Sequence, residues 1–151
     1  LQDGLKQDLW DVVMVAFSLL NPSASKTVFP LTRSNGTGVL NMFAVRRALS
    51  QSERLREICA ELTAKGMVGK DVLDASDPLG FLLKETDATT IPEAAYRFCR
   101  HEPGVDVVLF GTGNPAHLKE NVAAILKPAL PQPALKKLAE IFGALDHLTG
   151  N

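Results

Sequence analysis

The sequence predicts an α/β fold in which three parallel strands alternate with helices. Three observations carry this. Apolar, β-branched runs of strand length stand at residues 11–16, 39–43 and 105–110. Stretches with helical spacing lie between and after them, and strands separated by helices pair in parallel through right-handed crossovers. The third run leads into Gly111-Thr112-Gly113-Asn114-Pro115, a glycine-rich turn opening a helix. A helix begun this way presents free N–H groups and a positive dipole end at the carboxyl edge of a strand, where nucleotide phosphates bind.

Each element follows in order. Residues 2–9 read as the end of a helix. Residues 11–16 read as a buried strand, closed by Phe17-Ser18-Leu19-Leu20-Asn21-Pro22. A short helix is expected over about 23–34, with Pro30 inside or kinking it. Asn35-Gly36-Thr37-Gly38 is a helix stop and turn before the second strand, 39–43. Ser52 is expected to cap an amphipathic helix to about residue 65, with Leu55, Ile58, Cys59 and Leu62 on one face and Gly66 ending it. Residues 67–89 read as a loop holding one short helix around Leu79-Gly80-Phe81-Leu82-Leu83.

Thr90 and Glu93 form a capping box, with Pro92 in the first turn of a helix to about residue 101. The third strand, 105–110, is apolar except for Asp106 and suits burial on both faces. Gly111 and Gly113 are expected to let the chain turn sharply and let a ligand approach. Asn114 is the N-cap and Pro115 the first residue of a helix to about 126. A last helix is expected over about 133–145.

The chain's 151 residues suffice for one domain spanning 1–151. A net charge of -1 gives no broad attraction to nucleic acid or an anionic membrane, so neither is expected as a partner. No apolar run is long enough to cross a bilayer. Cys59 and Cys99 lack CxxC spacing and read as buried free thiols. No signal peptide is visible, which points to the cytoplasm. No His, Cys or carboxylate pair has zinc spacing, so no metal is expected. His101 lies near a helix end and His147 in the tail. The chain opens on Leu1 and not Met, and a three-stranded sheet leaves two edges open; both features point to sequence upstream. The turn at 111–115 has no Lys beside a Ser or Thr, so it is no P-loop. It also lacks the third glycine of the dinucleotide fingerprint.

Three segments together resemble the aldo/keto reductases. They are Asp11-Val12-Val13-Met14-Val15-Ala16-Phe17-Ser18-Leu19-Leu20-Asn21, Gly38-Val39-Leu40-Asn41-Met42, and Gly111-Thr112-Gly113-Asn114-Pro115-Ala116-His117-Leu118-Lys119-Glu120-Asn121. They are similar, in order and spacing, to the sixth, seventh and eighth repeats of that (β/α)8 TIM barrel. The segment Pro133-Ala134-Leu135-Lys136-Lys137-Leu138 resembles the family's C-terminal part, and residues 42–50 look like a subgroup close to sugar and aldose dehydrogenases. The resemblance implies the C-terminal portion of a barrel whose whole takes ~250 residues.

It implies an oxidoreductase moving a hydride between NAD or NADP and an aldehyde, ketone or sugar carbon. The family's catalytic Tyr, Lys, Asp and His fall in the first half of the barrel, so no catalytic residue is assigned here and the chain alone is expected to be inactive. Tyr96, the single tyrosine, reads as a helix residue packing on its neighbours.

By resemblance the chain carries the cofactor site. Phe17 stands where an aromatic ring stacks on the nicotinamide, with Ser18 and Leu20 on the pyrophosphate side. The backbone of Gly111, Thr112 and Gly113 lines the adenosine phosphate end. His117, Glu120 and Asn121 share one helix face toward adenine and ribose. Leu118, Val122 and Ile125 form a second, apolar face toward the barrel. Members that prefer NADP often carry a Lys in this turn and an Arg on this helix. Here Gly111 and His117 stand there, which leaves the choice of NAD or NADP open. Thr112 offers one hydrogen bond to a 2′-phosphate or a ribose hydroxyl, and Arg46 and Arg47 offer charge. The expected partners are the nicotinamide cofactor, a small carbonyl or sugar substrate, and the N-terminal barrel half or a second copy. The alternative is a truncated, non-catalytic nucleotide-binding or interaction module that oligomerises through its open barrel edge.

Overall fold

The three apolar runs form one parallel sheet. In the computed structural model, which describes residues 1–146, the strands are β1 (Val12–Ala16), β2 (Gly38–Met42) and β3 (Val107–Val108), in the order β1-β2-β3. Val12 lies opposite Gly38 and Ala16 opposite Met42, while Leu40 of the central strand pairs with Val107. β3 is shorter than its apolar run, yet its pairing runs on at both ends. The Asp106 N–H donates to Val39 O at 3.2 Å and the Leu109 N–H to Asn41 O at 2.8 Å. The acid that interrupts the run serves the sheet, because Asp106 Oδ2 accepts the Val39 N–H at 2.7 Å.

The helices are α1 (Gln2–Lys6), α2 (Ala24–Thr27), α3 (Phe29–Asn35), α4 (Arg47–Ser50), α5 (Ser52–Ala64), α6 (Gly80–Glu85), α7 (Ile91–Arg100), α8 (Pro115–Leu126) and α9 (Gln132–Phe142). The single helix expected over 23–34 is two. Val28 ends α2, and Pro30 sits in the first turn of α3, where its missing N–H costs nothing. Gly36 closes α3 with a left-handed φ of 72°, as the Asn-Gly stop requires. Ser52 is not a cap: Gln51 holds that position and makes no side-chain bond. The capping box of α7 is half as expected. Thr90 Oγ1 accepts the Glu93 N–H at 3.2 Å, but the Glu93 carboxylate reaches back one residue further, to Thr89.

Two apolar clusters hold these elements. One packs the inward residues of the sheet, Val13, Val15, Val39 and Val108, against α1, α3 and α7. The other gathers α5, α6, α7 and α9 through Leu55, Leu62, Leu82 and Leu138. Cys59 and Cys99 are buried and free, as expected.

Burial on both strand faces is not what the chain alone achieves. β1 alternates, with Val13 and Val15 buried but Val12 and Met14 more than half exposed, and Val107 of β3 is bare in the same way. Only one face of the sheet is covered by helices. The apolar face expected on α8 differs too. Leu118, Val122 and Leu126 form an exposed stripe at i, i+4 and i+8, and Ala124 is the one buried residue of that helix.

Candidate functional site

The carboxyl ends of β2 and β3 open onto a groove of about 430 Å³, lined by Met42, Phe43, Arg46, Leu109, Phe110 and Gly111. Phe43, the residue after β2, has φ 70°, a left-handed conformation that is costly for a bulky side chain. Its ring stands partly in solvent, and the Arg46 guanidinium lies 4.1 Å from the ring centroid. This cation–π contact keeps a positive charge beside the groove. The groove therefore combines an accessible aromatic ring, a positive charge and a glycine turn.

The chain bends at Gly113, within the turn expected there. Neither Gly111 nor Gly113 has a left-handed φ, and a Cβ added to either would meet no atom within 4 Å. The fold itself has no steric use for glycine at these places. What they leave is open space beside the backbone. Beyond them, Thr112 Oγ1 accepts the Asn114 N–H at 3.1 Å, and Asn114 Oδ1 caps α8 by accepting the Ala116 N–H at 2.9 Å. The expected N-cap and first-turn Pro115 are both in place.

The residues singled out in the sequence divide into three groups. Phe17 is a core ring: it stacks on Phe98 at 5.2 Å and meets Phe29 edge-on at 5.1 Å, at 1% exposure. No face of it is open to a nicotinamide in this arrangement. Ser18 is buried, with its backbone tied to Asn21 in both directions, and Leu20 lies in the helical cluster. Gly111 lines the groove at the strand ends, and Thr112 and Gly113 stand exposed just beyond it. Glu120 and Asn121 line a different groove, between α7 and α8, with Thr90, Tyr96 and Lys127, while His117 is exposed nearby on the same helix.

The more exposed of the two aromatic rings lining the groove is Phe43, with Phe110 half-buried beside it. The signal of Phe43 in the sequence was its place at a strand end, three residues before an arginine. Tyr96 is buried against Phe110, edge-on at 5.8 Å, the helix packing the sequence implied. His101 Nε2 lies 2.8 Å from Lys127 O, and His147 falls outside the described residues. Among the described residues, no three His, Cys, Asp or Glu side chains cluster as metal ligands, and no helix is long and apolar enough to cross a membrane.

Comparison with known proteins decides the family. The aldo/keto reductase family model matches residues 5–142. The chain belongs to the aldo/keto reductase family. No curated protein sequence matches it. Among solved structures it is similar to the aldo-keto reductase AKR11C1 from Bacillus halodurans. The apo form is 19% identical with a TM-score of 0.59, over 97% of this chain and 48% of that one. The holo form is 17% identical with a TM-score of 0.60, over 97% and 47%. At these identities the likeness establishes the fold. The chain spans about half the length of those reductases, and its three parallel strands correspond to part of a (β/α)8 barrel. Aldo/keto reductases are oxidoreductases, and the family as a whole reduces carbonyls with NAD(P)H. No finding points to the sugar dehydrogenase subgroup.

Proposed function

We propose that this aldo/keto reductase chain holds the nicotinamide cofactor for hydride transfer to an aldehyde, ketone or sugar carbonyl. The observation that carries the reading is the groove at the carboxyl ends of β2 and β3. In barrels of this kind the chemistry sits at that end of the strands. The residues present fit the cofactor's chemistry. Phe43 offers a π-face, Arg46 offers charge for a pyrophosphate, and the open space beside Gly111 and Gly113 admits close approach to backbone. When bound, the cofactor supplies the hydride. Thr112 and His117 at the start of α8 suit the ribose or its phosphate, and Glu120 and Asn121 suit adenine. Phe17, Ser18 and Leu20 support the end of β1 from the core side.

The test is a fluorescence titration with NADH and, separately, NADPH. Both Arg46→Ala and Gly113→Val are expected to weaken binding about tenfold, the scale of one charge-assisted contact. Unchanged affinity in both variants sinks the assignment of this groove. The ratio between the two nucleotides settles the preference that Gly111 and His117 leave open.

The bare sheet face favours a second reading: a non-catalytic module that associates through its open barrel edge. The two readings part on turnover. Supplying the N-terminal repeats restores carbonyl reduction in the first and only binding in the second.

A further inference from the structure

We infer that the corner between α2, α7 and α9 is a binding pocket for a single-ring aromatic ligand carrying a hydroxyl group, of the phenol type. A partly open cavity of about 150 Å³ lies there, and it shares no lining residue with the groove at the strand ends. Leu19, Phe98, Leu135 and Leu138 form the apolar part of its wall. Apolar cavities of about this volume with Leu and Phe walls take up benzene-sized molecules. An empty one leaves its wall atoms without dispersion partners, so filling it is favourable.

Two charged side chains, Lys26 and Glu102, also line it and set the ligand's polarity. The Lys26 ammonium is engaged, donating to Gly143 O at 3.1 Å. The Glu102 carboxylate differs. Among the described residues no group hydrogen-bonds it, and Arg33 acts on it through charge alone. Partial burial pushes its proton affinity up. A ligand hydroxyl supplies the donor that Glu102 lacks. A single aromatic ring fills the space between Phe98 and the leucines, with offset or edge contacts to the Phe98 ring.

The experiment is an NMR titration of the purified chain with phenol and with benzene, following amide and methyl signals. Saturable shifts confined to the residues around Leu19, Phe98, Leu135 and Leu138 are expected, with phenol binding about tenfold more tightly than benzene through its charge-assisted bond. Leu138→Phe and Ala139→Leu each fill the cavity and are expected to abolish the shifts, with circular dichroism reporting that either variant keeps its fold. Glu102→Gln is expected to remove most of phenol's advantage and leave benzene unchanged. The pocket is overturned by shifts that never saturate, or that persist in whichever filled variant is folded. Equal affinities for the two probes, unaffected by Glu102→Gln, overturn the assignment of a hydroxyl-bearing ligand.

Discussion

Arg97 joins the C-terminal helices. It is 1% exposed, and its guanidinium is held by polar partners. Its Nε donates to Pro128 O at 2.8 Å, Nη1 to Glu93 Oε1 at 3.1 Å, and Nη2 to Asp87 Oδ1 at 2.7 Å. Lys127 Nζ adds a second bond to the same Glu93 oxygen at 2.9 Å. Removing the guanidinium leaves the Pro128 carbonyl without its donor and takes one of several donors from the Glu93 carboxylate, which keeps Lys127 and Thr89. Arg97→Ala is therefore expected to cost about 1–3 kcal/mol, read as a lower urea midpoint. The same cluster sets a pH dependence. Burial raises the Glu93 pKa, but the bonds from Lys127, Thr89 and Arg97 outweigh it and hold the carboxyl below its ordinary 4.5.

A lowered carboxylate stabilises the fold above its ordinary value and loses that stability as pH falls through the folded value. The stability difference between the native chain and Glu93→Gln is expected to be full at pH 7 and to shrink below about 4.5, measured by denaturant titration across pH. An undiminished difference at pH 3 excludes this linkage. Glu102 acts with the opposite sign: burial raises it, so its contribution is present at low pH and lost as pH rises. The comparison of variants separates the two. Helical spacing made Glu93 and Arg97 neighbours in the sequence, at i and i+4. Nothing in the sequence marked Arg97 as buried, because its partners at Asp87, Pro128 and Ala129 come from distant loops. The packing around Phe17 was hidden for the same reason. Its position at a strand end was legible, but the two phenylalanines that enclose it arrive from α3 and α7.

Helix starts show which local signals survive folding. Asn114 caps α8 as the sequence implied, because Asn-Pro followed by a helix-period run leaves the cap little else to do. Ser52 looked equivalent and does not cap, since α4 ends at Ser50 and Gln51 takes the boundary. The two helices therefore respond differently. Asn114→Ala is expected to cost about 1 kcal/mol, and Ser52→Ala to fall within about 0.5 kcal/mol of the native chain. Equal losses in urea unfolding overturn the boundary at Gln51. Strand lengths were less legible than helix starts. The six-residue apolar run at 105–110 suggested a full strand, whereas β3 keeps Val107–Val108 with one further backbone bond at each end. Apolar content marks where a strand can lie; the neighbour in the sheet decides how much of it pairs.

At the scale of the whole molecule, the parallel topology was legible from alternation alone, and the covering of the sheet was not. The apolar runs suit strands buried on both sides, yet Val12, Met14 and Val107 project from a face with no element over it. The exposed stripe on α8, Leu118, Val122 and Leu126, adds apolar surface to the same molecule. Both outer strands also carry unpaired backbone on their free sides, which templates further pairing. The reductases it resembles in fold are about twice as long. The physical consequence is a sticky surface on the chain by itself, since contiguous exposed apolar patches drive association. Replacing Val12, Met14 and Val107 together by Thr keeps β-propensity and removes most of the apolar character on that one face. Because none of the three touches the covered side, unfolding stability is expected to change by under about 1 kcal/mol. Binding of a hydrophobic dye and the apparent mass in light scattering are both expected to fall toward the value for a single chain of 16.3 kDa. Undiminished dye binding shifts the origin of the stickiness to the α8 stripe, and Leu118→Lys with Val122→Glu then becomes the pair that removes it.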